Sequence, residues 1–540
     1  MAERLAGIQV HEEAGSEQAI TAAPTAITAF VGRALRGPVH RPVLIANFAD
    51  FRRLFGGLWQ PSMLSYAVEQ YFENGGRTAI VVRVTNGACC CTLQLPGTGG
   101  TLTLQALAPG TREYLRAAVD YDGIGDNEED CFNLVLQRVR VPGSEHIEDQ
   151  EIYRRLSVLP DATRFVATVL TESQLARVAG AVPSTRPEPT PSSDARGLAG
   201  YVASSPDGDD GGPLTDYDVI GSAVRGTGLF ALDAVASFNL LCVPPLARDT
   251  DVGASTLLVA NRYCRERRAM LLVDPPVAWD TAARALAEMR DWPLPSDSAC
   301  LYFPRLLAYD KLRGRFEAFA PCGAVAGTIS RAAELGPVWS VSGGDEAALR
   351  PGMRPACTVD DEHRTRLAAC GVNTVQTVRR PGRELPVART LAGPGATAAD
   401  WRLMPARRLA LLIITSIERG TRWMLFEPNE ATTWQRAAAQ VRAFLSSLEE
   451  RGAFAQREPG DRWYVLCDER VNREQHRERG IVNLLFGFAA ARPGEFHAFL
   501  VSHRAGGSRV QPVSPNLAGL PGTGVTQALE VLERPAGGTA

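Results

Sequence analysis

Between residues 228 and 309 the chain alternates helical and strand-like patterns, and few architectures accept that alternation. Gly228 to Pro245 (GLFALDAVASFNLLCVPP) reads as helix, then strand. Leu257 to Arg267 is a helix with Val259, Tyr263 and Cys264 inward, and Ala269 to Pro276 (AMLLVDPP) is a buried strand stopped by proline. Thr281 to Arg290 is a further helix, and Ala299 to Tyr309 a further strand. Such succession predicts an α/β core.

Residues 26–88 supply more of the same pattern. Ala29 starts a strand that leads into a Gly-Pro turn, and Pro42 to Ile45 follows. Ala49 to Gly57 and Leu64 to Phe72 read as helices, and Thr78 to Val84 as a buried strand. This unit is expected to share its sheet with residues 198–390. Within that range Ala320 to Leu335 reads as a helix, residues 340–365 as loop-rich, and Gly371 to Val378 as a strand.

Residues 89–182 have a different character. Thr101 to Leu107 alternates and Cys131 to Val141 is long and strand-like, which predicts a β-rich lobe inserted into the core. Residues 183–197 (PSTRPEPTPSSDARG) have linker composition. Asp207 to Gly212 looks like a calcium loop, but the fifth and twelfth ligand positions are Gly211 and Asp218, so it reads as a solvated turn.

A third region runs from Trp401 to Phe499. Leu409, Leu412, Ile413 and Ile417 recur at helical spacing, with Gly420 as a stop. Trp423 to Phe426 is short and apolar, as one buried strand would be, and Asn429 is placed to cap a second helix. That helix buries Trp434, Ala438, Val441, Leu445 and Leu448, and shows Glu430, Gln435, Arg436, Arg442, Glu449 and Glu450 on the other side. Two strands follow, Trp463 to Cys467 and Glu495 to Val501. The fold class is therefore α/β in several domains: an extended arm (1–25), a middle domain (26–88 with 198–390), the inserted lobe (89–182), a linker (183–197), a C-terminal α/β domain (391–505) and a flexible extension (506–540).

Composition excludes several functions. The net charge of −3 is wrong for a nucleic-acid binder that works by bulk charge, and the 7% of aromatic residues do not interleave with basic clusters. Lys311 is the only lysine, so other basic contacts use planar arginine. The 11 cysteines, with Cys89, Cys90 and Cys91 adjacent, form no CxxC pair and read as reduced thiols of a cytosolic protein. Met1-Ala-Glu-Arg4 begins no signal peptide, and no run approaches the ~18 apolar residues of a membrane span. There is no phosphate loop and no HExxH, and the histidines lie apart. Cys467 sits in an apolar run as an inert thiol, while His497 and His503 read as partly exposed. An α/β enzyme would need titratable groups at strand ends, where Asp274 is the one candidate. No cofactor or metal site is expected.

Several blocks together resemble contractile tail sheath proteins. They are FVGRALRGP (30–38), YFENGGR (71–77), LDAVASFNLLCVPP (232–245), CRERRAMLLVDPP (264–276), LYFPRL (301–306), GVN (371–373), ARTL (388–391), SIERGTRWMLFEPN (416–429), VLCD (465–468) and RPGEF (492–496). Ala368-Ala369-Cys370 departs from the turn the family places before GVN. The resemblance implies a non-catalytic subunit. It would form stacked homo-oligomeric rings around an inner tube protein and meet baseplate and tail terminator proteins. Assembly would be cytoplasmic, into a phage tail or injection particle, without nucleic acid or membrane insertion. Another self-assembling structural protein, or an α/β enzyme, is the alternative. Under the sheath resemblance, the alternating residues Ile8 and Val10 would pair between subunits with the strand carrying Phe496, Phe499 and Val501. Arg436, Arg442, Glu449 and Glu450 would face the tube.

Overall fold

The computed structural model describes residues 19–125, 127–191, 200–340, 349–375, 388–393, 399–454, 462–490 and 496–513. Its centre is a seven-stranded sheet in the order Val372–Thr374, Ala299–Phe303, Met270–Val273, Leu240–Cys242, Thr28–Gly32, Ala79–Arg83 and Val43–Ile45. All neighbours are parallel except the last pair. Alternate residues go to opposite faces: Leu271 and Val273 pack on one side, Met270 and Leu272 on the other. Both faces are covered, so the strands read as unbroken apolar runs rather than alternating ones. One face receives Tyr263 and Cys264 of the Ala254–Arg267 helix, the other the helices Phe48–Phe55, Met63–Glu73 and Cys322–Leu335. The last two touch closely enough that a Cβ on Gly323 would lie 2.1 Å from the Ala67 carbonyl oxygen.

One sequence expectation needs correction here. Ala299 to Tyr309 is not one strand. Pro304 lacks a donor, and beyond it Leu306–Asp310 joins a separate sheet with Arg315–Phe319 and Arg354–Pro355. The loop-rich stretch leads into the Asp361–Ala369 helix, capped by the Asp360 side chain on the His363 N–H. On the turn after Asp310, Lys311 meets Glu69 at 2.8 Å and Glu73 at 3.3 Å.

The inserted lobe has two sheets. Thr92–Gly97, Gly100–Ala106 and Ala176–Val178 form one, and Val202–Ala203, Leu115–Asp120, Cys131–Val139 and Ile147–Ser157 the other. They share one apolar core that includes Leu93, Leu104, Ala117, Phe132 and Leu136. Its chain extends beyond residue 182, because Val202 pairs with Ala117. The segment read as a linker packs on the lobe where it is described: Thr190 N donates to Val119 O at 2.9 Å, and the Arg186 guanidinium lies 3.7 Å from the Tyr121 ring centre.

The lobe joins the core through a narrow stem, where Asn86 bridges to Gly212 and Cys89 to Asp209. The acidic loop belongs to this stem. Asp207 accepts from both N and Oγ1 of Thr92, Asp210 from both N and Oγ1 of Thr111, and Arg33 donates to the Asp210 and Gly211 carbonyls. Arg36 pairs with Glu148 at 2.7 Å with both side chains largely buried. Arg83, 1% exposed, pins the adjoining turn by donating to the carbonyls of Ala34, Leu35 and Gly37.

Candidate assembly surfaces

The C-terminal unit is built on two helices, Met404–Gly420 and Ala431–Glu450. Leu409, Ile413 and Ile417 of the first meet Trp434, Ala438, Val441, Leu445 and Leu448 of the second in one core. The connection between them is not a strand. Arg422–Phe426 is a 3-10 turn with Met424 fully buried and Phe426 89% exposed. A four-residue apolar run fits either element, and here its residues point in divergent directions. The helix cap is Glu430, without a side-chain bond, and Asn429 has another task. Its Oδ1 accepts from Trp434 Nε1 and its Nδ2 donates to Ile481 O, so it ties the helix start to the sheet.

That sheet is antiparallel in the order Trp463–Leu466, Val482–Phe488, His497–Arg504 and Gly507–Val513. The second strand was missed in the sequence, although all seven of its residues are buried. The fourth lies inside the stretch read as a flexible extension, and residues 514–540 of that stretch lie outside the described residues. Phe499 pairs with Phe486 on one side and Pro512 on the other, and Val501 with Leu484 and Val510. Their strand therefore has no free edge in this chain. Phe496 precedes it, with its ring 5.7 Å from Tyr464. Ile8 and Val10 lie outside the described residues. Among the described strands of this sheet, Trp463–Leu466 and Gly507–Val513 are paired on one side only.

The residues expected to face a tube divide. Arg442 and Glu450 are exposed. Arg436 is exposed too, lying 4.1 Å from the Trp423 ring centre and 3.5 Å from Glu427. Glu449 turns inward, accepting from Arg462 Nη1 at 3.0 Å and Trp463 Nε1 at 2.7 Å, so it fastens the helix to the first strand.

His503 is not partly exposed, as the sequence suggested, but 0% exposed. The Thr421 hydroxyl donates to Ile417 O, so its oxygen accepts from Nε2–H of His503, and Nδ1 accepts from the Ser508 hydroxyl. Burial pushes this imidazole down to about 4. Nearby, burial works to raise the Glu418 carboxyl. Bonds from Arg422 at 2.7 and 2.8 Å, and the charge of Arg268 at 3.2 Å, more than reverse that and hold it below the usual carboxylate range.

The enzyme-like candidates have structural partners. Asp274 Oδ1 accepts from Cys322 N and so caps the Cys322–Leu335 helix, while burial raises its carboxyl to about 6. Burial pushes the Cys467 thiol up to about 12, far from a thiolate at neutral pH. No cluster of three or more metal-ligating side chains occurs among the described residues.

A doubly wound core, a β-rich lobe on a narrow stem, and a C-terminal unit of two helices on an antiparallel sheet make up this fold, and it is shared with sheath proteins of known structure. The chain is similar in structure to the sheath tail protein of Listeria innocua, with a TM-score of 0.60 and 12% identity over 89% of this chain and 96% of that one. It is similar to the contracted sheath of the extracellular contractile injection system PVC (TM-score 0.53, 16% identity, 92% and 96% covered). The contracted helical sheath of the anti-feeding prophage gives 0.51 and 17% over 92% and 98%. No family model and no curated protein matches the sequence.

Proposed function

We propose that this chain is a structural, non-catalytic subunit of a contractile sheath. It polymerises into stacked rings around an inner tube protein and drives the tube forward on contraction. The likeness to sheath chains over 92% of the sequence carries this reading, because it takes in core, lobe and C-terminal unit together. In the assembled particle the rings end on baseplate and terminator proteins. Assembly takes place in the cytoplasm; no described helix is long and apolar enough to cross a membrane.

Neighbours are linked by strand addition. Because the strand of Phe499 and Val501 is already paired on both sides, the acceptor for a neighbour's Ile8–Val10 segment is one of the two singly paired strands. The exposed side of the Ala431–Glu450 helix, with Arg436, Arg442 and Glu450, faces the tube.

Negative-stain imaging of the purified full chain tests the proposal. Striated tubes are expected. Deleting residues 2–18, which spares everything described from Ala19 onward, should leave a folded monomer that forms none. Flat lattices or discrete particles from the full chain would refute the sheath reading, and normal tubes from the deletion would refute the linkage.

A further inference from the structure

Residues 19–27 belong to no helix or strand, yet six of the nine are held by packing or hydrogen bonds. Ile20 is 8% exposed and packs in the C-terminal core. Ala23 N donates to Ser416 Oγ at 2.9 Å, and Asn239 Nδ2 donates to Pro24 O at 2.7 Å. Arg408 Nη2 donates to Thr25 O at 3.0 Å, and Ser330 Oγ to Ala26 O at 3.1 Å. Ile27 N donates to Asn239 Oδ1 at 3.0 Å. Five consecutive residues thus use backbone groups on three bodies: the Met404–Gly420 helix, the Cys322–Leu335 helix, and Asn239 at the start of the Leu240–Cys242 strand. The segment then runs directly into Thr28–Gly32, which is paired on both sides within the large sheet.

Gly420 has a role here that its position as a helix stop conceals. It is the last residue of its helix, and a Cβ on it would lie 2.8 Å from Ile20 Cγ1 and 2.9 Å from Ile20 Cγ2. Real Cβ contacts are not that close, so Gly420 is the socket for Ile20. Beside the segment lies a polar cleft of about 180 Å³ between the core and the C-terminal unit, lined by Pro24, Phe238, Arg268, Glu418, Arg419 and Arg422. The direct contact between the two bodies is therefore incomplete on this side, and the segment spans it.

We propose that residues 19–27 are a tension strap, which delivers a pull on the N-terminal segment to the joint between the core and the C-terminal unit. This rests on the sheath reading, in which a neighbouring subunit holds residues 1–18. Such a pull meets Ile20 in its Gly420 socket first, then the hydrogen bonds of residues 23–27, and last a doubly paired central strand. Load is shared between both bodies of the subunit instead of unravelling one edge. An ordinary connecting loop would hold few such bonds, because ordering an irregular segment costs backbone entropy at every residue.

The test is Gly420→Ala in the full chain. The substitution favours the helix by propensity, so a purely helical role predicts an equal or more stable subunit. The strap predicts that Ile20 is expelled. Thermolysin cleavage within residues 19–27 of the monomer should rise at least tenfold. Sheaths of the variant should assemble, then separate into short stacks when contracted with sub-denaturing guanidinium. Ile20→Ala, which empties the socket without a clash, should act in the same direction and covers the case in which Gly420→Ala fails to fold. Unchanged cleavage, or contraction of both variants into continuous tubes of normal length, overturns the strap. If deletion of residues 2–18 also leaves tubes intact, the linkage reading has failed instead. If that deletion abolishes tubes while both variants behave normally, the strap alone is wrong.

Discussion

Acid should loosen the C-terminal sheet through a single histidine. His503 is held neutral between Thr421 and Ser508, with its imidazole pushed by burial from 6.5 down to about 4. Glu418 opposes that shift and Arg422 adds to it. In the unfolded chain the same side chain takes up a proton near its ordinary value. Between those two values the unfolded state binds more protons than the folded one, so stability falls as pH falls. The contribution is fully present above pH 6.5 and is exhausted near pH 4. At about 1.4 kcal/mol per pH unit, the loss across that window is roughly 3 kcal/mol. Hydrogen exchange in peptides covering Val482–Arg504 reads it locally, at pH 7, 6, 5 and 4, after correction for intrinsic rates. Carboxylates elsewhere also titrate, so the comparison is with His503→Gln, which keeps polar atoms but cannot ionise. The wild type should lose roughly 3 kcal/mol more protection than the variant over the window. Equal pH slopes, or a wild type that gains protection in acid, would refute the assignment of a buried neutral imidazole.

Three further outcomes concern the helix face and the lobe. Reversing Arg436 and Arg442 to Glu should change subunit stability by less than ~1 kcal/mol, since exposed ion pairs contribute little, yet reduce the yield of extended, tube-filled sheaths seen by microscopy. Normal yield with unchanged salt sensitivity would remove this helix face from the tube contact. Replacing residues 90–208 by a short Gly-Ser loop should leave a folded subunit that still forms tubes, because the Asn86–Gly212 and Cys89–Asp209 bridges close the stem. Replacing only 89–182 should give insoluble protein, since it leaves Val202–Ala203 without the strand it pairs with.

The parallel core was legible because its strands are buried on both faces: AMLLVDPP can be little else between two helices. The ends of elements were harder to read. Ala299 to Tyr309 looks continuous, and only the missing N–H of Pro304 hints that the chain changes sheets. Val482–Phe488 is as apolar as any strand in the molecule. It follows the charged Glu474–Glu478 helix directly, and the short turn between them hid its start. Gly507–Val513 carries Gly and Pro, which suit a tail; Pro512 is tolerated because this strand lies at the sheet's edge. Of the candidate assembly surface, the exposed stripe of Arg436 and Arg442 follows from helical spacing alone. The inward turn of Glu449 does not, because its partners Arg462 and Trp463 lie on the next strand. The socket at Gly420 was out of reach for the same reason: a glycine at a helix end is expected, and nothing local marks Ile20, four hundred residues earlier, as its occupant.

The pairing of Lys311 with Glu69 and Glu73 has a practical consequence. Apart from the chain's terminal amine, it is the one primary amine in 540 residues, and its side chain is 56% exposed. The Glu69 hydrogen bond raises its pKa above the ordinary lysine value, so acylation at neutral pH is slow and alkaline buffer is needed. An amine-reactive dye would then mark each subunit at one defined turn. A polymer grown from such subunits would carry a regular array of fluorophores whose spacing, read by energy transfer, reports the rise and rotation between neighbours as the assembly shortens.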